Sequence, residues 1–152
     1  MVLPQLAAAV GIGYLLKRLA ETDADHDDVV EEAYQVVDRE SGESASIYVD
    51  HIQDRHGVDA TDTTHNAKPG YKHRPDLVVS RFAGQSLTIE VETDGTLDDD
   101  AREQLVDFAQ EGYKRVLVVP DGALDDGVSF LEDFADGDDI AVCEPQDLTQ
   151  FL

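Results

Sequence analysis

The stretch "RPDLVVSRFAGQSLTIEVET", residues 74 to 93, limits the possible folds more than any other part of the chain. Two short apolar runs flank a turn centred near Gly84, which reads as two neighbouring strands joined tightly. In the second run Leu87, Ile89 and Val91 share one face of a strand, while Thr88, Glu90 and Glu92 share the other. Asp76 opens the first run. A strand with two acids side by side, and a third acid on its neighbour, repels itself. Something must compensate.

Acidity alone carries no message in this chain, because acid is everywhere. The 152 residues hold 34 Asp and Glu against 11 Lys and Arg, a formal charge of −23. Asp accounts for 23 of the acids and Lys for only 4 of the bases. With 41% apolar residues, the composition is that of a globular protein with an Asp-rich, Lys-poor surface, of the kind found in salt-loving archaea. A disordered acidic tail does not fit that apolar fraction or the regular periodicity. An acid is therefore informative only where its position is unusual.

The length predicts one domain with a sizeable core. Upstream of the paired strands, "DHDDVVEEAYQVVDRESG" sets Val29, Val30, Ala33, Val36 and Val37 at helical spacing, with Gly42 beyond the end. Residues 44 to 58 fit either a strand or a helix, and 59 to 70 read as a loop. Downstream, Thr96 with Asp99 has the spacing of a capping box, opening a helix whose apolar stripe is Ala101, Leu105, Phe108 and Ala109. "RVLVVP" reads as a strand covered on both faces. A helix with Leu124, Val128, Leu131 and Phe134 follows, then the strand "IAVCEP" and a short C-terminal helix. This order predicts an α/β fold, a mixed central sheet flanked by helices.

The single cysteine, Cys143, excludes an intramolecular disulfide and a cysteine-based zinc site, and its apolar setting predicts an inert buried thiol. Residues 1 to 20 are expected to form a separate apolar helix ahead of a single domain over 21 to 152. The first 16 residues are uncharged, and Lys17 and Arg18 follow the apolar run, the wrong order for a cleaved signal peptide. Two readings stand: a helix buried on the domain or on a second copy in a homodimer, or a membrane anchor with the remainder cytoplasmic.

Asp76 and Glu90, on strands about 4.8 Å apart, could converge on one hard cation, with Glu92 adding a third donor. A Mg²⁺ or Mn²⁺ ion would remove the repulsion among them. The one basic stretch of the chain surrounds Asp76: Lys68, Lys72, Arg74 and Arg81, with His65, Tyr71 and His73 interspersed. Cation and basic patch together are what a phosphodiester requires, so DNA is the expected partner. Gln104 flanks the stripe of the following helix and is a rim residue or a further site residue.

"RPDLVV", "IEVE" and "AREQLVDF", in that order over roughly residues 25 to 120, resemble the PD-(D/E)xK nuclease superfamily. The last piece is similar to the glutamine-x-x-x-tyrosine helix of its RecB-type members, with Phe108 in the aromatic place. The resemblance implies a restriction-endonuclease-like fold, Asp76 and Glu90 as metal ligands, and Glu31 or Glu32 as an assisting acid on the first helix. It also implies a lysine that positions or activates the attacking water. Glu92 stands in that lysine's place. Some restriction endonucleases of the superfamily use a second glutamate there; in other members the basic residue has migrated, here to Lys72, Arg74 or Arg102. The expected function is Mg²⁺-dependent hydrolysis of DNA phosphodiesters. The alternative is a catalytically inactive module of the same fold that binds nucleic acid or protein, membrane-associated through its N-terminal helix.

Overall fold

The computed structural model describes residues 26–50, 74–134 and 137–152. A helix over 26–40 (α1) precedes the strands β1 (Ala45–Val49), β2 (Leu77–Arg81) and β3 (Ser86–Val91). Then come helix α2 (Asp99–Asp107), strand β4 (Tyr113–Val118), helix α3 (Leu124–Glu132), strand β5 (Ile140–Cys143) and a closing 3₁₀ segment, Pro145–Phe151. The strands form one sheet in the order β1-β2-β3-β4-β5. β2 runs antiparallel to both of its neighbours, β1 and β3, while β3, β4 and β5 run parallel. The expected α/β architecture, a mixed sheet flanked by helices, is present. The first part of the ambiguous stretch is a strand, β1, because Ile47 and Val49 alternate onto the core; its remainder, 51 to 58, and the expected loop over 59 to 70 lie outside the described residues.

Side-chain alternation assigns the two faces. Leu77, Val79, Leu87, Ile89, Val91, Val116 and Val118 pack with the apolar stripe of α1 and with Leu148. The opposite face carries α2 and α3 through Ala101, Leu105, Phe130 and Leu131 over Leu117, Val119 and Ile140. Both crossover helices thus lie on one side of the sheet and α1 on the other. Gly42, just past α1, adopts φ +74°, the left-handed turn that ends a helix at little steric cost.

Two elements differ from the sequence expectation. Helix α2 is capped by Asp98, whose side chain accepts the Ala101 N–H at 3.1 Å, and so begins after Thr96. Thr96 is committed to a short 3₁₀ turn: Thr93 N–H donates to its Oγ1, and its hydroxyl donates to the Thr93 carbonyl, both at 3.0 Å. On α3 the buried line is Ala123, Gly127, Phe130 and Leu131, while Val128 is exposed. The helix is rotated onto Gly127, where the missing side chain admits the sheet.

Cys143 is buried, and burial, with Asp147 and Glu144 beside it, pushes its thiol up to about 12, as expected of an inert core residue. Among the described residues no helix is long and apolar enough to cross a membrane. The N-terminal segment, 1 to 20, lies outside them.

The α3–sheet contact supports a test. A Cβ on Gly127 would sit 2.8 Å from Val142 Cγ2 and 3.2 Å from Val119 Cγ1. Both neighbours are β-branched and stiff. Gly127→Ala is expected to destabilise the fold by about 1–3 kcal/mol through overpacking, although alanine is the better helix former by about 1 kcal/mol. Urea unfolding measures it; a stabilised variant would contradict the close approach.

Candidate functional site

Pro75 lacks an N–H, so the β2–β3 ladder cannot continue beyond Leu77 paired with Ile89. Asp76 takes over at that end of the sheet. Its Oδ2 accepts the Val91 N–H at 2.8 Å, and its carbonyl accepts the Asp50 N–H at 2.9 Å. The Asp76 N–H in turn donates to the Glu90 carboxylate. One residue therefore ties the ends of β1 and β3 together and places its carboxylate beside Glu90. Glu92 follows two residues later, on the same face as Glu90, with its N–H held by the Val118 carbonyl at 3.0 Å. The three acids that the sequence singled out are brought together, only 2%, 5% and 6% exposed for Asp76, Glu90 and Glu92.

Such burial is expensive for charge. Glu90 Oε2 is buried with no hydrogen-bond partner among the described residues. Burial, then the charges of Asp76 and Glu92, raise the Glu90 carboxyl well above the usual range. Burial raises Glu92 to about 7; the Thr96 hydroxyl, which the Glu92 carboxylate and the Thr93 carbonyl compete for, works the other way. Both shifts favour the neutral carboxyl, as burial among like charges requires.

Two further members were not anticipated. His26, at the start of the described part of α1, points Nε2 at Asp76 Oδ2 and Nδ1 at Asp27 Oδ1, each at 3.3 Å. Burial disfavours its charged form, but the hydrogen bonds and charges of Asp76 and Asp27 outweigh that and raise it from 6.5 to about 9. His26 lies three and four residues ahead of Val29 and Val30, so helical spacing already placed it on the buried stripe. Asp50, at the end of β1, adds its charge to the field on Glu90. Its position depended on the segment whose periodicity was ambiguous.

The remaining expected residues are placed elsewhere. Glu32 is exposed on α1, and its carboxyl is raised by partial burial and by Asp121 and Asp28; those two, and not the three buried acids, are its charged neighbours. Helical geometry explains this, since the exposed face of α1 carries Glu32 while the inner face carries His26. Glu31 is half-buried on the same helix. Gln104 is half-buried on α2, and its amide joins none of the hydrogen bonds around the acids. Arg102 donates to Asp99 at 2.8 Å and lies over the Phe130 ring at 4.8 Å, so it bridges α2 and α3 and does not serve the cluster. The basic patch divides. Arg74 is exposed beside Pro75, but Arg81 lies at the far end of β2, five residues after Asp76 and about 17 Å from it along an extended strand. Lys68 and Lys72 lie outside the described residues.

Among the described residues no group of three or more His, Cys, Asp or Glu side chains stands ready-made to hold a metal ion. The donor chemistry fits a hard divalent cation nonetheless. Mg²⁺ takes one or two carboxylates and keeps several waters, and the unpartnered Glu90 oxygen beside Asp76 supplies what such an ion needs.

The protonated groups set the pH response of the cation-free fold. Glu92, raised from 4.5 to about 7, contributes stability that is complete below pH 4.5 and lost as pH climbs through 7. His26, raised from 6.5 to about 9, contributes stability complete below pH 6.5 and lost through 9. With chelator present, the thermal midpoint should fall from pH 4.5 to 9. Glu92→Gln should flatten the lower half of that decline relative to wild type, and His26→Gln the upper half. Parallel profiles for all three proteins would contradict this electrostatic picture.

Compared with models of known protein families, with curated proteins and with solved structures, the chain matches none.

Proposed function

We propose that this chain is a divalent-cation-dependent nuclease that hydrolyses DNA phosphodiesters, with the restriction-endonuclease-like arrangement that its strand–turn–strand motif suggests. The observation that carries the reading is the buried trio Asp76, Glu90 and Glu92, in which Glu90 Oε2 has no hydrogen-bond partner among the described residues. A structural role does not require such a cluster, since apolar residues would fill the same space at lower cost. Its position supports the reading too. Glu90 and Glu92 stand at the carboxyl end of β3, the edge of an α/β sheet where ligands usually bind.

In this reading Asp76 and Glu90 hold the cation and Glu92 serves as proton acceptor. A bound Mg²⁺ or Mn²⁺ would polarise the scissile phosphate and lower the pKa of bound water. Glu92 takes the proton as the water oxygen forms its bond to phosphorus. The phosphorus–oxygen bond to the leaving sugar breaks, and that oxygen takes a proton from solvent. Arg74, exposed and two residues ahead of Asp76, would contact the DNA backbone. At 1 M salt the Debye length is about 3 Å, so recognition would depend on close contacts and not on steering.

A second reading, a silent nuclease-like fold that binds nucleic acid or protein, is favoured by the lack of a ready-made three-ligand group among the described residues. Branched, nicked and single-stranded DNA, incubated in molar KCl with Mg²⁺, Mn²⁺ or chelator, separates the two. Cleavage should require the cation. Glu90→Ala should abolish it, and Glu92→Gln should lower it by roughly 10² or more. Glu92→Lys, which restores the superfamily pattern, should retain or raise it. DNA binding without cleavage by the wild type would favour the silent fold, and undiminished cleavage by Glu92→Gln would remove Glu92 from the mechanism.

A further inference from the structure

We infer that the tip of the β2–β3 hairpin is a second contact for nucleic acid, at which the Phe82 ring stacks on an unpaired base and Arg81 meets a neighbouring phosphate. The inference rests on the DNA reading above and deepens it, by naming DNA with unpaired bases as the substrate class. The loop has four residues, Phe82 to Gln85, all of them exposed. The Arg81 N–H donates to Ser86 Oγ at 3.0 Å and closes it. Gly84 turns the chain at φ +94°, a conformation that glycine adopts without steric cost. The Arg81 guanidinium curls over that turn, its Cζ 3.8 Å from where a Cβ on Gly84 would stand. An aromatic ring and a cation thus share one short, closed turn.

A lone exposed apolar side chain is ordinary, but three features set this one apart. Phe82 is 99% exposed, whereas Val106 and Val128, the other large apolar side chains in solvent among the described residues, are only 50% and 39% exposed. In a chain with 34 acids among 152 residues, the stretch from 77 to 89 contains none. Arg39 and Arg102 pair with carboxylates and Arg115 with a carbonyl, but Arg81 enters no ion pair among the described residues. A polyanion suits such a turn. An apolar socket on another protein, or on a second copy of this chain, would require more apolar surface than Ala83, Gly84 and Gln85 supply. A base offers a flat π-face whatever its identity, and a duplex hides that face in its stack, so unpaired bases fit. At molar salt phosphate contacts weaken steeply, whereas an apolar ring carries no charge to screen. The roughly 17 Å from Arg81 to Asp76 equals about five phosphates at 3.4 Å along a strand, so one strand can reach both the tip and the acids.

Fluorescence anisotropy of the full chain in molar KCl, with chelator so that nothing is cleaved, tests this. The probes are a labelled oligothymidine and a labelled blunt duplex of the same length, and thermal midpoints confirm that each variant is folded. The wild type should favour the single strand. The ratio of single-strand to duplex affinity should fall roughly tenfold in Phe82→Ala and be kept in Phe82→Trp, which still presents an aromatic face. Arg81→Gln should weaken binding of both probes and lower the salt slope by about one. A ratio unaltered in Phe82→Ala, or a wild type that binds no single strand, would overturn the inference. So would a wild-type dimer that Phe82→Ala dissociates, which would give the tip to a second copy of this chain. Single-strand cleavage is then measured with Mn²⁺. Phe82-dependent binding without cleavage upholds the tip and sinks the nuclease reading, whereas cleavage with an unaltered ratio does the reverse.

Discussion

The Asp76 carboxylate accepting the Val91 amide at 2.8 Å is the contact on which the rest of the site depends. It occurs where Pro75 stops the β2–β3 ladder, and it replaces a backbone pairing with a side-chain one. Through its own amide and carbonyl the same residue holds Glu90 and β1. Asp76 is therefore part of the sheet's framework and part of its acid cluster at once. A neutral, shape-matched Asn there could keep part of the framework and would lose the charge, while an apolar residue would lose both.

From that clamp the electrostatics follow. Three carboxylates lie under 10% exposed, in a chain whose surface is already strongly acidic, so the local field opposes every one of them. The fold answers with backbone donors to Asp76 and Glu90, with carboxyl pKa values of Glu90 and Glu92 that are raised by burial, and with the His26 ring against Asp76. In the proposed reading a divalent cation would do the same more completely. Elsewhere the molecule deals with buried charge differently. Arg115 is buried on β4 and donates to the Leu105 carbonyl at 2.8 Å, in the last turn of α2, where a cation complements the helix dipole. That charge is structurally satisfied. Glu90 Oε2 has no such partner among the described residues, and this asymmetry separates a candidate site from a buried support.

Much of this was legible in the sequence, for identifiable reasons. Period-two alternation in "SLTIEVE" placed Glu90 and Glu92 on one face, and the short turn placed Asp76 beside them. The helical stripe of α1 and the continuous run "RVLVVP" were equally direct, because burial dictates those patterns. What failed depended on local competition or on distance in three dimensions. Thr96 has the spacing of a helix cap, yet a 3₁₀ turn with Thr93 claims its hydroxyl and leaves Asp98 to cap α2. Val128 fits a helical stripe, but Gly127 draws the helix to the sheet along a different line. His26 is 50 residues from Asp76, and only its place on the apolar face of α1 hinted that it would point inward.

The central proposal is that the Asp76–Glu90–Glu92 cluster holds a divalent cation. Anomalous diffraction from crystals soaked in Mn²⁺ tests it most directly. The account predicts a single strong peak in contact with the carboxylates of Asp76 and Glu90. Well-ordered carboxylates at that site with no anomalous peak, at Mn²⁺ concentrations that decorate the acidic surface elsewhere, would contradict it.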